Sequence, residues 1–176
     1  HNANGKPYAH LAEMSERIMA GAQNAGIKIT LIPIFYQKGG FGKEPEKDQR
    51  RFISNSIDDY SKLFEACEIS AAKFNDASVG YGIHSMRAVT SENIIRLSKL
   101  KKENTPLHIH VSEQLKEIEE CQSFLGKRPV EWLSNNIELN EDYHLVHATH
   151  LIEKQIEQIA SSGASVVLCP STEGTL

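Results

Sequence analysis

The chain places histidine at positions where imidazole chemistry would count. The run His108-Ile109-His110-Val111-Ser112-Glu113 sets two imidazoles two residues apart, with a carboxylate three residues after the second. In a strand, that spacing puts both rings on one face. Imidazole is a good ligand for zinc, and a carboxylate just outside the coordination sphere can move protons to and from a water in the metal's open position. The residues alone leave open which of His108 and His110 is the ligand, and both also fit hydrogen-bonded interior positions. A second run, Leu145-Val146-His147-Ala148-Thr149-His150, offers His147 as a further ligand or as a base for such a water. Strand parity turns Leu145 and His147 inward, points His144 and its neighbour Tyr143 to packing roles, and leaves His150 in a loop. The third run, His84-Ser85-Met86-Arg87, sets a guanidinium beside a histidine. Arginine holds a carboxylate through two parallel hydrogen bonds, so it suits an anionic substrate, or else a surface ion pair.

Alternating elements must present these runs. Short apolar segments read as strands at 29–36, 78–84, 107–111, 143–148 and 164–169. Helical spacing falls between them, at 12–25, 57–74, 114–125, 129–135 and 152–161, with a further helix capped by Thr90. Gly26, Gly126 and Gly163 stop three of these helices, and Pro129 opens one. The strand cores are nearly continuous apolar runs, which marks strands covered on both faces and therefore a parallel α/β sheet. Such folds place their sites at the carboxyl ends of strands, where these histidines stand. Alternation alone fits a barrel and a doubly wound sheet equally. The glycine-rich loop around Gly39–Lys43 matches no phosphate-binding motif and reads as a lid or plain loop, and the lone Trp132 as helix packing.

Composition narrows the partners. A net charge of -4 lacks the basic footprint of a nucleic-acid binder, and there is no run of about 18 apolar residues to span a membrane. Cys67, Cys121 and Cys169 are scattered and form no CxxC motif, as expected of reduced thiols in a cytoplasmic enzyme.

Taken together, the motifs resemble the formimidoylglutamate deiminases of the amidohydrolase superfamily. The runs that carry the resemblance are Asn4 to Ala9, Leu31 to Tyr36, Gln49 to Phe52, His84 to Val89, His108 to Gln114, Arg128 to Leu133, Leu145 to His150 and Leu168 to Glu173. The resemblance implies a zinc-dependent hydrolase that converts N-formimino-L-glutamate to N-formyl-L-glutamate and ammonia in histidine degradation. It implies that His110 is the metal ligand and that Glu113 shuttles protons while His147 helps activate water. It also implies that Arg87 clasps a substrate carboxylate and His84 contacts the formimino end.

The same resemblance implies a partial (β/α)8 TIM barrel of about five parallel strands, roughly the third to the seventh, with residues 1–176 as one partial barrel domain. A complete barrel takes about 250 residues, and this chain of 176 begins at His1 and ends at Leu176. The family's first-strand HxH pair would precede His1 and its eighth-strand Asp would follow Leu176, and Gly174-Thr175 stands where Ala-Asn is usual. This segment alone is therefore expected to be inactive. A small-molecule substrate, no nucleic acid, no membrane and a homo-oligomer are expected. Two other readings are a different deaminase of the superfamily, which would not need the Arg87 clamp for a neutral ring, and a non-catalytic half-barrel that self-associates through open sheet edges.

Overall fold

The computed structural model describes residue 2 and residues 4–175; His1, Ala3 and Leu176 lie outside the described residues. The chain begins with helix α1 (Glu13–Ala25), strand β1 (Ile29–Leu31), strand β2 (Ile34–Phe35) and helix α2 (Ile57–Ala71). Next come β3 (Ala77–Val79), β4 (Tyr81–Ser85), α3 (Ser91–Leu100), β5 (Leu107–Val111), α4 (Leu115–Leu125) and α5 (Pro129–Asn136). The last elements are β6 (Tyr143–His147), α6 (Glu153–Ser162), β7 (Ser165–Val167) and a one-turn helix α7 (Pro170–Glu173). The expected punctuation holds. Gly26, Gly126 and Gly163 cap their helices in the left-handed conformation, and the Thr90 hydroxyl accepts the Asn93 N–H at 3.4 Å.

All strand pairs are parallel, and the five-stranded sheet runs β2-β4-β5-β6-β7, in chain order without reversal. A doubly wound sheet reverses its strand order at a switch point, and a barrel does not. The sheet therefore winds in the barrel sense. Among the described residues, no helix is long and apolar enough to cross a membrane.

The first two expected strands are each split in two. Pro33 has no N–H for the ladder, so residues 29–36 divide into β1 and β2, and Gly80 divides the partner strand into β3 and β4. Backbones approach closely here. A Cβ on Gly82 would sit 2.5 Å from Ile34 Cδ1, and one on Gly80 would sit 2.8 Å from the Pro106 carbonyl oxygen. The buried Tyr60 hydroxyl ties the break together, donating to the Pro33 carbonyl and accepting the Gly82 N–H, both at 3.0 Å. The expected last strand is shorter than residues 164–169. Pro170 takes the first helical position of α7, and Cys169 becomes its N-cap.

The apolar core lies between the sheet and its helices. Leu107, Ile109 and Val111 of β5 and Tyr143 and Leu145 of β6 turn outward to this layer, where Ile94, Leu97, Cys121, Val130, Leu133 and Ile159 close it from the helices. Trp132 is buried in the same layer. The opposite face of the sheet carries His108, in register with His144, and His110, in register with Val146. This corrects the parity expected on β6. His144 faces inward, its ring 4.5 Å from that of His108, and Leu145 faces the helices.

Tyr60→Phe should cost about 1–3 kcal/mol, because it orphans a buried carbonyl and a buried N–H. Urea unfolding of the two proteins checks this, and a smaller loss would mean that the bridge at the strand break is dispensable.

Candidate active site

Three departures from regular strand geometry assemble the site. The register between β4 and β5 shifts between Ile83 and Ser85, so His84 is the extra residue of a bulge. Its ring meets Tyr36 edge-on at 4.5 Å and lies 5.4 Å from the His110 ring. Ser112, straight after β5, has φ 52 and turns the chain so that Glu113 returns over the strand end. His147 and Ala148 have φ 73 and φ 50, and this left-handed exit lets His147 escape strand parity and swing beside His110, at 5.4 Å between rings.

The hydrogen bonds distinguish His110 from His108. His110 Nδ1 lies 2.7 Å from the His84 carbonyl oxygen. A carbonyl only accepts, so Nδ1 carries the proton and Nε2 keeps its lone pair, the tautomer a metal ligand needs. His108 sits deeper, against His144, and its buried Nδ1 has no hydrogen-bond partner among the described residues. Burial, helped by the neighbouring imidazoles, holds His108 below its ordinary pKa and thus neutral.

Glu113 stands between a cation and a base. Its Oε2 is 3.5 Å from Arg87 Nη2, and its Oε1 is 3.5 Å from His147 Nε2. The other ring nitrogen of His147, Nδ1, is 3.2 Å from Glu173 Oε1, which also accepts the Cys169 N–H at 2.8 Å. Below Glu113, the buried Glu117 carboxylate accepts the N–H groups of Ser112 and Glu113 at 3.1 and 3.0 Å and so fixes the left-handed turn. Burial raises the Glu117 pKa, while nearby Arg87 opposes the rise. The Arg87 turn is pinned by Gln37. The Gln37 N–H donates to the Ala88 carbonyl at 2.7 Å, and its side-chain oxygen accepts from Asn93 Nδ2 at 3.0 Å. A cleft of about 640 Å³ opens beside His84 and is lined by Tyr36, Gln49, Arg51, Phe52 and Leu63 among others. Gln49 Nε2 donates to the Tyr36 hydroxyl at 2.8 Å.

Arg87, Glu113, His110, His147 and His84 thus converge at one end of the sheet, as the sequence motifs require. A family model described as Amidohydrolase family matches residues 14–176. The chain belongs to the amidohydrolase family. It is 40% identical over 177 residues to the formimidoylglutamate deiminase of Pseudomonas aeruginosa, which covers 100% of this chain and 39% of that protein. A 5-methylthioadenosine/S-adenosylhomocysteine deaminase of Halobacterium salinarum is 36% identical over 108 residues, 58% of this chain and 25% of that one. The crystal structure of an amidohydrolase from Brucella melitensis matches with a TM-score of 0.94 and 41% identity, covering 99% of this chain and 39% of that chain. An adenosine deaminase from Xanthomonas campestris with bound zinc matches at a TM-score of 0.73 and 22% identity, over 89% of this chain and 33% of its own, a likeness of fold. The chain spans 39% of the length of the first two full-length matches, and its fold is the partial α/β barrel that the motifs imply.

Several residues of this amidohydrolase site escape a motif reading. Glu117 looks like one more solvent-facing charge on α4, and Glu173 like the tail of a strand-end run. Arg128 donates to the His150 carbonyl at 2.7 Å and to Gln155 Oε1 at 3.2 Å, and so anchors the loop after His147. His150 enters the arrangement through this carbonyl and through its N–H, which donates to Ser112 O. Arg128, His150 and Glu173 lie in runs that carry the family resemblance, but a contact is signalled only by the spacing of four between Cys169 and Glu173, which a helical turn brings to one side.

Burial above all, with the neighbouring His110 and Arg87 disfavouring a further positive charge, pushes His84 down to about 4 from its ordinary 6.5. The unfolded chain therefore binds the proton more tightly than the folded one, and stability is present above pH 6.5 and lost as pH falls toward 4. Between pH 7.5 and 4.5, His84→Asn should lose about 1–3 kcal/mol less stability than the parent, as read by urea unfolding at the two pH values. Parallel losses would place the His84 proton equilibrium elsewhere.

Proposed function

We propose that this chain is the part of an N-formimino-L-glutamate iminohydrolase that carries the proton-transfer and carboxylate-binding residues. The observation that carries the reading is Glu113 standing between Arg87 and His147, with His110 alongside in the tautomer that frees Nε2. The 40% identity to a formimidoylglutamate deiminase, over the whole of this chain and 39% of that protein, supports it. In the reaction, water adds to the formimino carbon, the carbon–nitrogen bond breaks, and N-formyl-L-glutamate and ammonia leave. Glu113 accepts the water proton and passes it to the departing nitrogen. His147, held at Nδ1 by Glu173, supports the same proton movement through Nε2. Arg87 grips a substrate carboxylate. Its loose 3.5 Å contact with Glu113 leaves it available for that partner. His84, neutral at pH 7, contacts the formimino end.

The tautomer of His110 fits a zinc ion, which this imidazole would hold through Nε2. When bound, zinc supplies the Lewis acidity that makes water nucleophilic near neutral pH. We assign the reaction to the cytoplasm and to histidine degradation, and residues 1–176 to one barrel domain that runs from about the third strand to the seventh. The deaminases of 5-methylthioadenosine supply the second reading, on the strength of their partial matches.

The test is ammonia release from N-formimino-L-glutamate by the polypeptide that carries this segment at the length of its relatives, with a methylthioadenosine control. Glu113→Gln should lower kcat by about 10²–10⁴, and Arg87→Met should act chiefly on KM for the dicarboxylate. Turnover of the nucleoside alone, indifferent to Arg87, would overturn the assignment. The chain itself should self-associate in sedimentation velocity, because β2 and β7 are sheet edges and Val166 and Leu168 are exposed there. A strictly monomeric species would count against a homo-oligomer.

A further inference from the structure

His147, Cys169 and Glu173 come from the ends of two neighbouring strands, and one ligand atom from each lies within 4.8 Å of the other two. The geometry points to a second cation site, one that takes a thiophilic divalent metal such as zinc or cadmium on His147 Nδ1, the Cys169 thiolate and the Glu173 carboxylate. Nitrogen, sulfur and oxygen ligands bind zinc at about 2.0–2.3 Å, which sets ligand atoms about 3.5 Å apart around a tetrahedral ion, so small inward shifts close the site. The arrangement is already ordered. Cys169 and Glu173 sit four apart on the turn of α7, joined by the Cys169 N–H to Glu173 Oε1 bond, and the left-handed backbone of His147 brings Nδ1 to 3.2 Å from the same oxygen. The carboxylate has a second oxygen, enough for both the N–H and a metal.

The choice of thiol follows from burial. Cys67 and Cys121 are fully buried, and burial raises both thiols, Cys121 to about 12. Cys169 is the partly exposed cysteine. On metal binding, the Cys169 thiol releases its proton to solvent. The imidazole stays neutral by carrying its proton on Nε2 in place of Nδ1. Thiolate and carboxylate together balance the divalent charge. Nε2–H then faces Glu113 Oε1 at 3.5 Å, and a ligand histidine characteristically donates its other N–H to a carboxylate. An imidazole locked in this form cannot take a proton at Nε2, so the metal would inhibit. That consequence rests on the proposed role of His147, whereas the metal site does not.

Titrating the purified chain with Co2+ tests the site without any activity assay. One equivalent should produce a thiolate-to-cobalt charge-transfer band in the near ultraviolet, which a cobalt ion on His110 cannot give. Cys169→Ser should abolish the band, and Glu173→Gln should weaken Co2+ binding at least about tenfold. A second measurement needs no variant. Zn2+ should slow alkylation of Cys169 by iodoacetamide at least about tenfold, read by mass spectrometry of the labelled peptide. Absence of the thiolate band in the parent chain, its survival in Cys169→Ser, or alkylation indifferent to Zn2+ would each overturn the site. Failure of the deiminase reading would leave all three results unchanged.

Discussion

The pairing of β5 with a strand on either side is the constraint on which the rest depends. Its ladder to β4 and β6 fixes which residues share a face, and period-two alternation then sends Leu107, Ile109 and Val111 to the helices and His108 and His110 to the interior. The outward residues bury the area that stabilises the sheet. The inward ones are polar rings that neither contribute to that core nor interrupt it. One strand thus separates stability from chemistry within five residues. The candidate site groups gather where this regularity stops: at the bulge on His84, the left-handed Ser112 and the left-handed pair His147 and Ala148.

The electrostatics of the cluster follow from the same placement. Two carboxylates, Glu113 and Glu117, lie near a single guanidinium, Arg87, and they differ in kind. Glu117 is buried and spends its oxygens on two backbone N–H groups, so it acts as a fixed brace. Glu113 makes two long contacts at 3.5 Å and is not committed to either partner, which suits the proton transfer proposed for it. The imidazoles also differ. His84 and His108 are kept neutral by burial, whereas His147 sits between two carboxylates. Five groups of similar intrinsic chemistry are given different tasks by their hydrogen-bond partners.

The outer layer shows where further contacts are available. Val166 and Leu168 beside β7, and Ile152 and Ile156 around α6, remain exposed, whereas Ile94 and Leu97 of α3 and Val130, Trp132 and Leu133 of α5 are buried in the core. Each β/α unit in such a barrel completes its packing against the next. The apolar residues at the β7 side are those that a further unit, or a second copy, would cover.

Much of this protein was determined by the sequence itself. Alternating apolar runs and helical spacing, with glycines at three helix ends, specify parallel α/β units. HxHxxE and the histidine and arginine at neighbouring strand ends specify where the chemistry collects, because these signals are local and strand ends are the mouth of the fold. Tertiary structure decided what depends on distant partners or on single dihedral angles. The turning of His147 depends on its positive φ, against the strand parity that misassigned His144 and Leu145. His110 differs from His108 through a carbonyl on β4, 26 residues away. Glu117 and Glu173 acquire roles only once the chain folds back on Ser112 and on His147. A periodicity cannot encode those contacts, because they join residues whose relation exists only in the folded chain.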